Sequence, residues 1–146
     1  MTVQRLEREH LSAVAALERE CFLEPWSEKS LGLLLTEEAT GAVCICDGQT
    51  VAYGGMLWAP DEGQITNVAV SEAYRGKGIG EEILSYLIAQ ARERHCSLLS
   101  LEVRESNSVA IHLYEKHGFS VAGRRKRFYK SPTEDALVMI LNLIYE

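Results

Sequence analysis

Residues 75–80 read Arg75-Gly76-Lys77-Gly78-Ile79-Gly80, and the reading of this hexamer decides the fold. An apolar run precedes it, Ile65-Thr66-Asn67-Val68-Ala69-Val70. Apolar residues at helical spacing follow it: Ile83, Leu84, Leu87, Ile88 and Ala91. A glycine-rich turn from a strand into a helix exposes several backbone N–H groups together. With the positive end of the helix dipole, those groups form a site for phosphate. Glycine lets the backbone approach a bulky anion without a Cβ clash, and Arg75 and Lys77 add positive charge. The hexamer is therefore a candidate cradle for a phosphorylated cofactor. The plainer alternative is a helix entry with flexible glycines and solvated charges.

Two glycine motifs are excluded. The P-loop requires G-x-x-x-x-G-K-[ST], and Lys77 is followed by Gly78. The dinucleotide fingerprint G-x-G-x-x-G is broken because Gly76, Gly78 and Gly80 alternate and Ile83 stands where the third glycine belongs.

The chain has 146 residues, enough for one domain spanning 1–146. Its 47% apolar and 25% charged content is ordinary for a soluble globular protein. No apolar run approaches the ~20 residues of a membrane span. Met1–His10 lacks the apolar core of a signal peptide, so a cytoplasmic location and no membrane partner are expected. A net charge of −6 argues against general nucleic-acid binding and suits a basic protein substrate. Cys21, Cys44, Cys46 and Cys96 then read as reduced, packed thiols; no Cys-x-x-Cys or histidine pairing completes a metal site. The histidines receive no role, and no metal is expected.

Along the chain, Val3–Leu6 reads as a short strand and Glu9–Phe22 as a helix with apolar residues at 11, 14, 17 and 21. Ser27 is a good N-cap for a second helix through about Leu35. Ala42–Cys46 and Val51–Trp58 read as strands joined by an Asp47-Gly48 hairpin turn. Gln64–Val70 is a fourth strand, Gly78–Arg94 a long amphipathic helix, Leu98–Val103 a fifth strand and Asn107–His117 a fourth helix. Phe119–Tyr129 and Glu134–Ile144 read as a closing pair of strands. This order implies an α/β (α+β) fold, a mixed and partly parallel sheet with helices on its faces.

After the fifth strand comes Leu101-Glu102-Val103-Arg104-Glu105-Ser106-Asn107-Ser108-Val109-Ala110-Ile111-His112-Leu113-Tyr114-Glu115-Lys116-His117-Gly118-Phe119. This stretch resembles Asn-x-x-Ala-x-x-Leu-Tyr-x-x-x-Gly-Phe, a hallmark of the GNAT acetyltransferases, and Arg-x-x-Gly-x-Gly resembles their pyrophosphate signature. The two occur in the family's order, and together are far more specific than either alone. Within the family the chain is similar to the RimI-type protein N-terminal acetyltransferases, with further anchors in Glu24–Lys29 and Tyr129–Met139.

The resemblance implies a GNAT fold with about six to seven strands and about four helices, and acetyl-coenzyme A as cosubstrate. It places Arg75, Gly76, Lys77, Gly78, Ile79, Gly80 and Glu81 at the pyrophosphate, and Val68, Ala69, Val70 and Asn107 along the pantetheine arm. It implies Glu102 as general base and Tyr114 as general acid, both reasonable chemically. An α-amine has a pKa near 7.7–8.0 and must lose a proton to attack; a phenol is protonated at pH 7 and can donate to a leaving thiolate. Glu102 can equally be a solvated strand-end acid, and Tyr114 a core aromatic; a tyrosine can also fill both roles.

Pro25, Trp26 and Tyr129 are expected near the acceptor, although Trp26 can instead staple the helix capped by Ser27. The family often carries two tyrosines where this chain has Phe128-Tyr129. The run Arg124-Arg125-Lys126-Arg127 reads either as a nucleic-acid or nuclear signal or as a solvated strand, and the acidic net charge favours the strand. In function, the resemblance implies acetylation of a protein N-terminal α-amine, typically the alanine of a small-subunit ribosomal protein. The alternatives are a lysine or small-molecule amine acetyltransferase, and a non-catalytic acetyl-coenzyme A sensor.

Overall fold

A computed structural model of the chain describes residues 1–143. Its centre is one mixed seven-stranded sheet in the order β1-β2-β3-β4-β5-β7-β6. β1 (Thr2–Arg5), β2 (Ala39–Cys46), β3 (Gln49–Ala59) and β4 (Glu62–Val70) are antiparallel neighbours. Asp47 and Gly48 turn β2 into β3 with φ of 50° and 77°. Two consecutive positive φ angles match the twist of the flanking strands, so the two-residue hairpin forms as the sequence indicates. α3 (Ile79–Glu93) carries the chain to β5 (Leu98–Arg104), which runs parallel to β4. α4 (Ser108–Lys116) leads to β6 (Ser120–Lys130), and β7 (Thr133–Asn142) inserts between β5 and β6. The last residue of the strand expected at Glu134–Ile144 lies outside the described residues.

The first two helices differ from expectation at their ends. α1 (Leu11–Cys21) is preceded by a 3₁₀ turn over Arg8–His10, and the Glu7 N–H donates to His10 Nδ1 at 2.9 Å. α2 (Glu28–Leu31) is capped by Ser27, whose hydroxyl accepts the Ser30 N–H at 3.1 Å. It then tightens to 3₁₀ geometry over Gly32–Leu35. Gly32 weakens the α-helix, and the three-residue 3₁₀ period aligns Leu31 with Leu34, both of which are buried.

The sheet has two covered faces. Ile83, Leu84 and Leu87 of α3 pack with Leu99, Leu101 and Met139 on one. Gly54 makes that approach possible, because a Cβ there would lie 2.6 Å from Ile83 Cγ2. Val14, Leu17, Leu31 and Leu34 pack with Leu6 and Tyr53 on the other. β5 alternates strictly: Leu99, Leu101 and Val103 are buried on the α3 side, so Leu98, Ser100, Glu102 and Arg104 face the opposite way.

Two features position the site. β4 and β5 pair only at Glu62–Leu98, Gly63–Leu99 and Gln64–Ser100, beyond which the strands diverge. Glu18 of α1 is buried, and its carboxylate gathers three donors from three places. It accepts the Tyr53 hydroxyl of β3 in a short hydrogen bond, Asn67 Nδ2 of β4 at 2.9 Å and the Trp26 N–H of the α1–α2 loop at 2.7 Å. Burial, then the neighbouring Glu18 carboxylate, push the Tyr53 phenol up, so it stays a donor. Replacing Glu18 by Leu strands three buried or half-buried donors. The expected cost is about 3–5 kcal/mol in denaturant unfolding, and a loss under 1 kcal/mol would contradict the role of Glu18 as anchor.

Candidate active site

The glycine turn has the geometry of an anion cradle. Gly76 and Gly78 have φ of 76° and 79°, and a Cβ at either position would meet nothing within 4 Å. The requirement for glycine is thus set by the backbone, and the space in front of it is open. Gly78 is the N-cap of α3 and supplies no side-chain cap, which leaves the first N–H groups of the helix directed into that space. Acetyl-coenzyme A fits this end of the fold: its pyrophosphate is the anion such a turn holds. The pantetheine arm carries amides that can pair with the β4 edge bared where β5 diverges.

The residues expected here divide by role. Val68 and Val70 point their side chains into the α3-side core and Ala69 into the other core. The Ala69 backbone faces β3, so the backbone groups that face away from β3 and toward a ligand are those of Val68 and Val70. The Val70 carbonyl is partly engaged: Arg75 Nε donates to it at 2.9 Å, and the Cys21 thiol at 3.5 Å. Arg75 also contacts Cys21 Sγ at 3.4 Å, so its guanidinium braces the turn from within. Burial raises the Cys21 thiol pKa, against the pull of Arg75. Lys77 Nζ stands 5.3 Å over the Tyr74 ring. Ile79 is buried, and a Cβ on Gly80 would rest in ordinary contact with Leu113, 3.5 Å away. Glu81 is bonded to Lys116 at 2.6 Å, which ties α3 to α4 and holds the Glu81 carboxyl below its usual range. Asn107 caps α4, its Oδ1 accepting the Ala110 N–H at 3.1 Å.

On the α1–α2 side, the divergence of β4 from β5 opens a cleft of about 420 Å³. Ile65, Thr66 and Asn67 line it from β4, Glu102 and Arg104 from β5, Glu24 and Trp26 from the α1–α2 loop, and Phe128 and Tyr129 from β6. Thr66 Oγ1 is buried there without a hydrogen-bond partner among the described residues. Trp26 packs against the α1-side core and also lines the cleft, whereas Pro25 is exposed and not among the lining residues. A larger, more open depression of about 650 Å³ over α1 holds Glu9, His10 and Glu20. None of the residues expected at the site lines it, whereas Glu102, Trp26 and Tyr129 line the smaller cleft, which is therefore the candidate site.

Tyr114 does not line the cleft; it is buried, with its ring 5.7 Å from that of Phe119. Burial, with a smaller contribution from Tyr129, pushes its phenol pKa up, so the hydroxyl remains a proton donor at neutral pH. Tyr129 is pushed up to about 12, by burial first and then by the Glu102 carboxylate.

The rim of the cleft is tied shut by backbone hydrogen bonds. Glu24 Oε1 accepts the Lys130 and Ser131 N–H groups, each at 3.0 Å, joining the α1–α2 loop to the β6–β7 turn. These two N–H groups hold the Glu24 carboxyl below its usual range. Arg104 donates to the Pro132 carbonyl at 2.9 Å and to Glu134 Oε1 at 3.2 Å, and stacks 4.3 Å over the Tyr129 ring.

Glu18, Asn67 and Arg104 were not singled out in the sequence. Glu18 carried a readable signal: it follows Val14 by four residues, so it falls on the apolar stripe of α1. Asn67 and Arg104 carried none, since their partners come from distant segments.

A family model described as acetyltransferase (GNAT) family matches residues 11–119. The chain belongs to the GNAT acetyltransferase family, and is an acetyl-coenzyme A-dependent N-acetyltransferase. A Bacillus subtilis protein provisionally named as a ribosomal protein bS18-alanine N-acetyltransferase is 36% identical over 139 residues, 94% of this chain and 92% of its own length. The Escherichia coli K12 ribosomal protein bS18-alanine N-acetyltransferase is 34% identical over 142 residues, 96% of each chain. The crystal structure of the ribosomal-protein-S18-alanine N-acetyltransferase from Escherichia coli superposes with a TM-score of 0.91 at 33% identity, covering 99% of this chain and 95% of that one.

Valine at position 78 forces a β-branched residue to a positive φ, at a strain of about 1–3 kcal/mol or more, and crowds the cradle. Gly78→Val is expected to weaken acetyl-coenzyme A binding on the order of tenfold or more. Calorimetry on a folded variant checks this, and unchanged affinity would contradict the cradle.

Proposed function

We propose that this enzyme acetylates the N-terminal α-amine of a protein in the cytoplasm, with a ribosomal protein that begins with alanine as acceptor. The observation that carries the reading is the cleft itself. A carboxylate, Glu102, lines it near the end of β5, and a phenol that keeps its proton, Tyr114, is buried in the α3-side core. Similarity over nearly the whole chain to enzymes named for bS18 alanine supports the acceptor. The entire chain forms one domain, and neither nucleic acid nor membrane has a part in the reaction. No helix among the described residues is long and apolar enough to cross a membrane.

Acetyl-coenzyme A supplies the acetyl group as a thioester. Glu102 takes a proton from the acceptor ammonium, directly or through a water, and so makes the nitrogen nucleophilic. The nitrogen bonds to the acetyl carbon as the carbon–sulfur bond breaks, and the new amide nitrogen gives up its second proton to water. Tyr114 gives its proton to the departing sulfur, and proton exchange with solvent restores both groups. Trp26 and Tyr129 flank the acceptor, and the glycine turn holds the pyrophosphate.

Two substitutions test these roles. Tyr114→Phe keeps the packed ring and removes the donor, so turnover falls by ~10²–10⁴ with little change in thermal midpoint; unchanged turnover would leave Tyr114 as packing alone. Glu102→Gln keeps acetyl-coenzyme A binding and slows the reaction most at low pH, where the amine is protonated. Because the α-amine pKa is about 7.7–8.0, the gap from wild type narrows as pH rises through that range. Equal rates at every pH would remove Glu102 from the base role.

A further inference from the structure

We propose that Arg125 is the positioning residue for the reaction's base: it holds one oxygen of the Glu102 carboxylate and leaves the other directed at the acceptor amine. The proposal rests on the reading of Glu102 as that base.

The sequence places Arg125 in a basic run on a solvated strand, and most of its side chain is indeed exposed. The register of the sheet gives it a further task. Arg104 of β5 and Arg125 of β6 both oppose Ala136 of the intervening β7, and Glu102 opposes Val138 two residues along. Directly opposed residues share a face, as do residues two apart in a strand. Glu102, Arg104, Ala136 and Arg125 therefore lie on one face, the one turned away from α3.

From β6 to β5 is two strand spacings, about 10 Å. An arginine can cross that distance over an alanine, and Ala136 is buried beneath the crossing. Arg125 Nε ends 3.4 Å from Glu102 Oε1. Among the described residues, Glu102 Oε2 has no ion-pair or hydrogen-bond partner. Arg104, the other cation on this part of the face, is committed to Pro132, Ser131 and Glu134.

The strand that presents Arg125 is held on both sides. Arg124 pairs with Glu105 and Asp135, and the Arg127 N–H donates to Asp135 Oδ1 at 2.9 Å. The register shifts between Arg125 and Tyr129, so residues 126–128 bulge opposite Asp135 and both Arg125 and Tyr129 keep to the cleft face. A guanidinium suits this work, because it stays protonated through the reaction and cannot compete for the proton that Glu102 must take. An exposed pair of this kind adds little to stability, so its loss is read in rate and not in folding.

The test is a double-mutant cycle on the full chain, with acetyl-coenzyme A and a synthetic peptide bearing a free N-terminal alanine. Arg125→Met keeps the aliphatic stem and removes the charge. In the wild-type background it is expected to lower kcat roughly 10–100-fold, with acetyl-coenzyme A affinity and thermal midpoint unchanged and acceptor KM altered less than kcat. Arg125→Lys is expected to recover part of the loss. In the Glu102→Gln background, Arg125→Met is expected to cost less than about twofold, because the group it positions is gone. A slow Glu102→Gln enzyme in which Arg125→Met costs its full factor again would overturn the positioning role and leave the base reading intact. Glu102→Gln at wild-type rate would overturn the base reading itself. Arg125→Met at wild-type kcat would overturn the positioning role alone.

Discussion

Parallel pairing between β4 and β5 stops after three residue pairs, and the site depends on its stopping there. Had the two strands stayed together to their ends, Val68 and Val70, whose backbone groups face away from β3, would spend those groups on β5. Their divergence leaves those groups for a ligand, and unpaired backbone polar groups demand a partner. The same divergence turns the polar alternation of β5 into a wall. Leu99, Leu101 and Val103 hold the strand to the α3-side core, so Glu102 and Arg104 have only the cleft to face. One interruption in a hydrogen-bond ladder thus bares the end of β4 and presents Glu102 to the cleft.

The two sides of the sheet divide the work. α3 is anchored by Ile83, Leu84 and Leu87, and that packing fixes the uncapped N-terminus against the end of β4. The lysine bridge from Glu81 to Lys116 steadies α4, which carries Tyr114. On the opposite face, α1 presents Glu18, a buried carboxylate whose donors come from β3, β4 and the α1–α2 loop. A carboxylate in that position is satisfied only if all three elements converge, so it locks the wall of the cleft to the sheet.

The glycine hexamer and the Asn107–Phe119 stretch were legible because their chemistry is local. A positive-φ turn, an uncapped helix start and an asparagine N-cap need only a few neighbouring residues to specify them. Strand and helix cores were legible from periodicity, with ends shifted by a few residues. Tertiary demands were not. Nothing in the chain order says that β7 lies between β5 and β6, and without that insertion Arg125 has no path to Glu102. The α1–α2 loop and the β6–β7 turn are far apart in sequence, so their joining through Glu24 is visible only in three dimensions.

The central claim is that the opening between β4 and β5 receives the acetyl donor. Amide hydrogen exchange by NMR tests it most directly, comparing the free enzyme with the enzyme saturated with coenzyme A. The amides of Val68 and Val70, which face away from β3, are expected to exchange quickly in the free protein and become protected on binding, while those of Gly63 and Gln64, inside the paired segment, change little. Slow exchange at both Val68 and Val70 before coenzyme A is added, with no change afterwards, would mean the strands are closed there and would contradict the account.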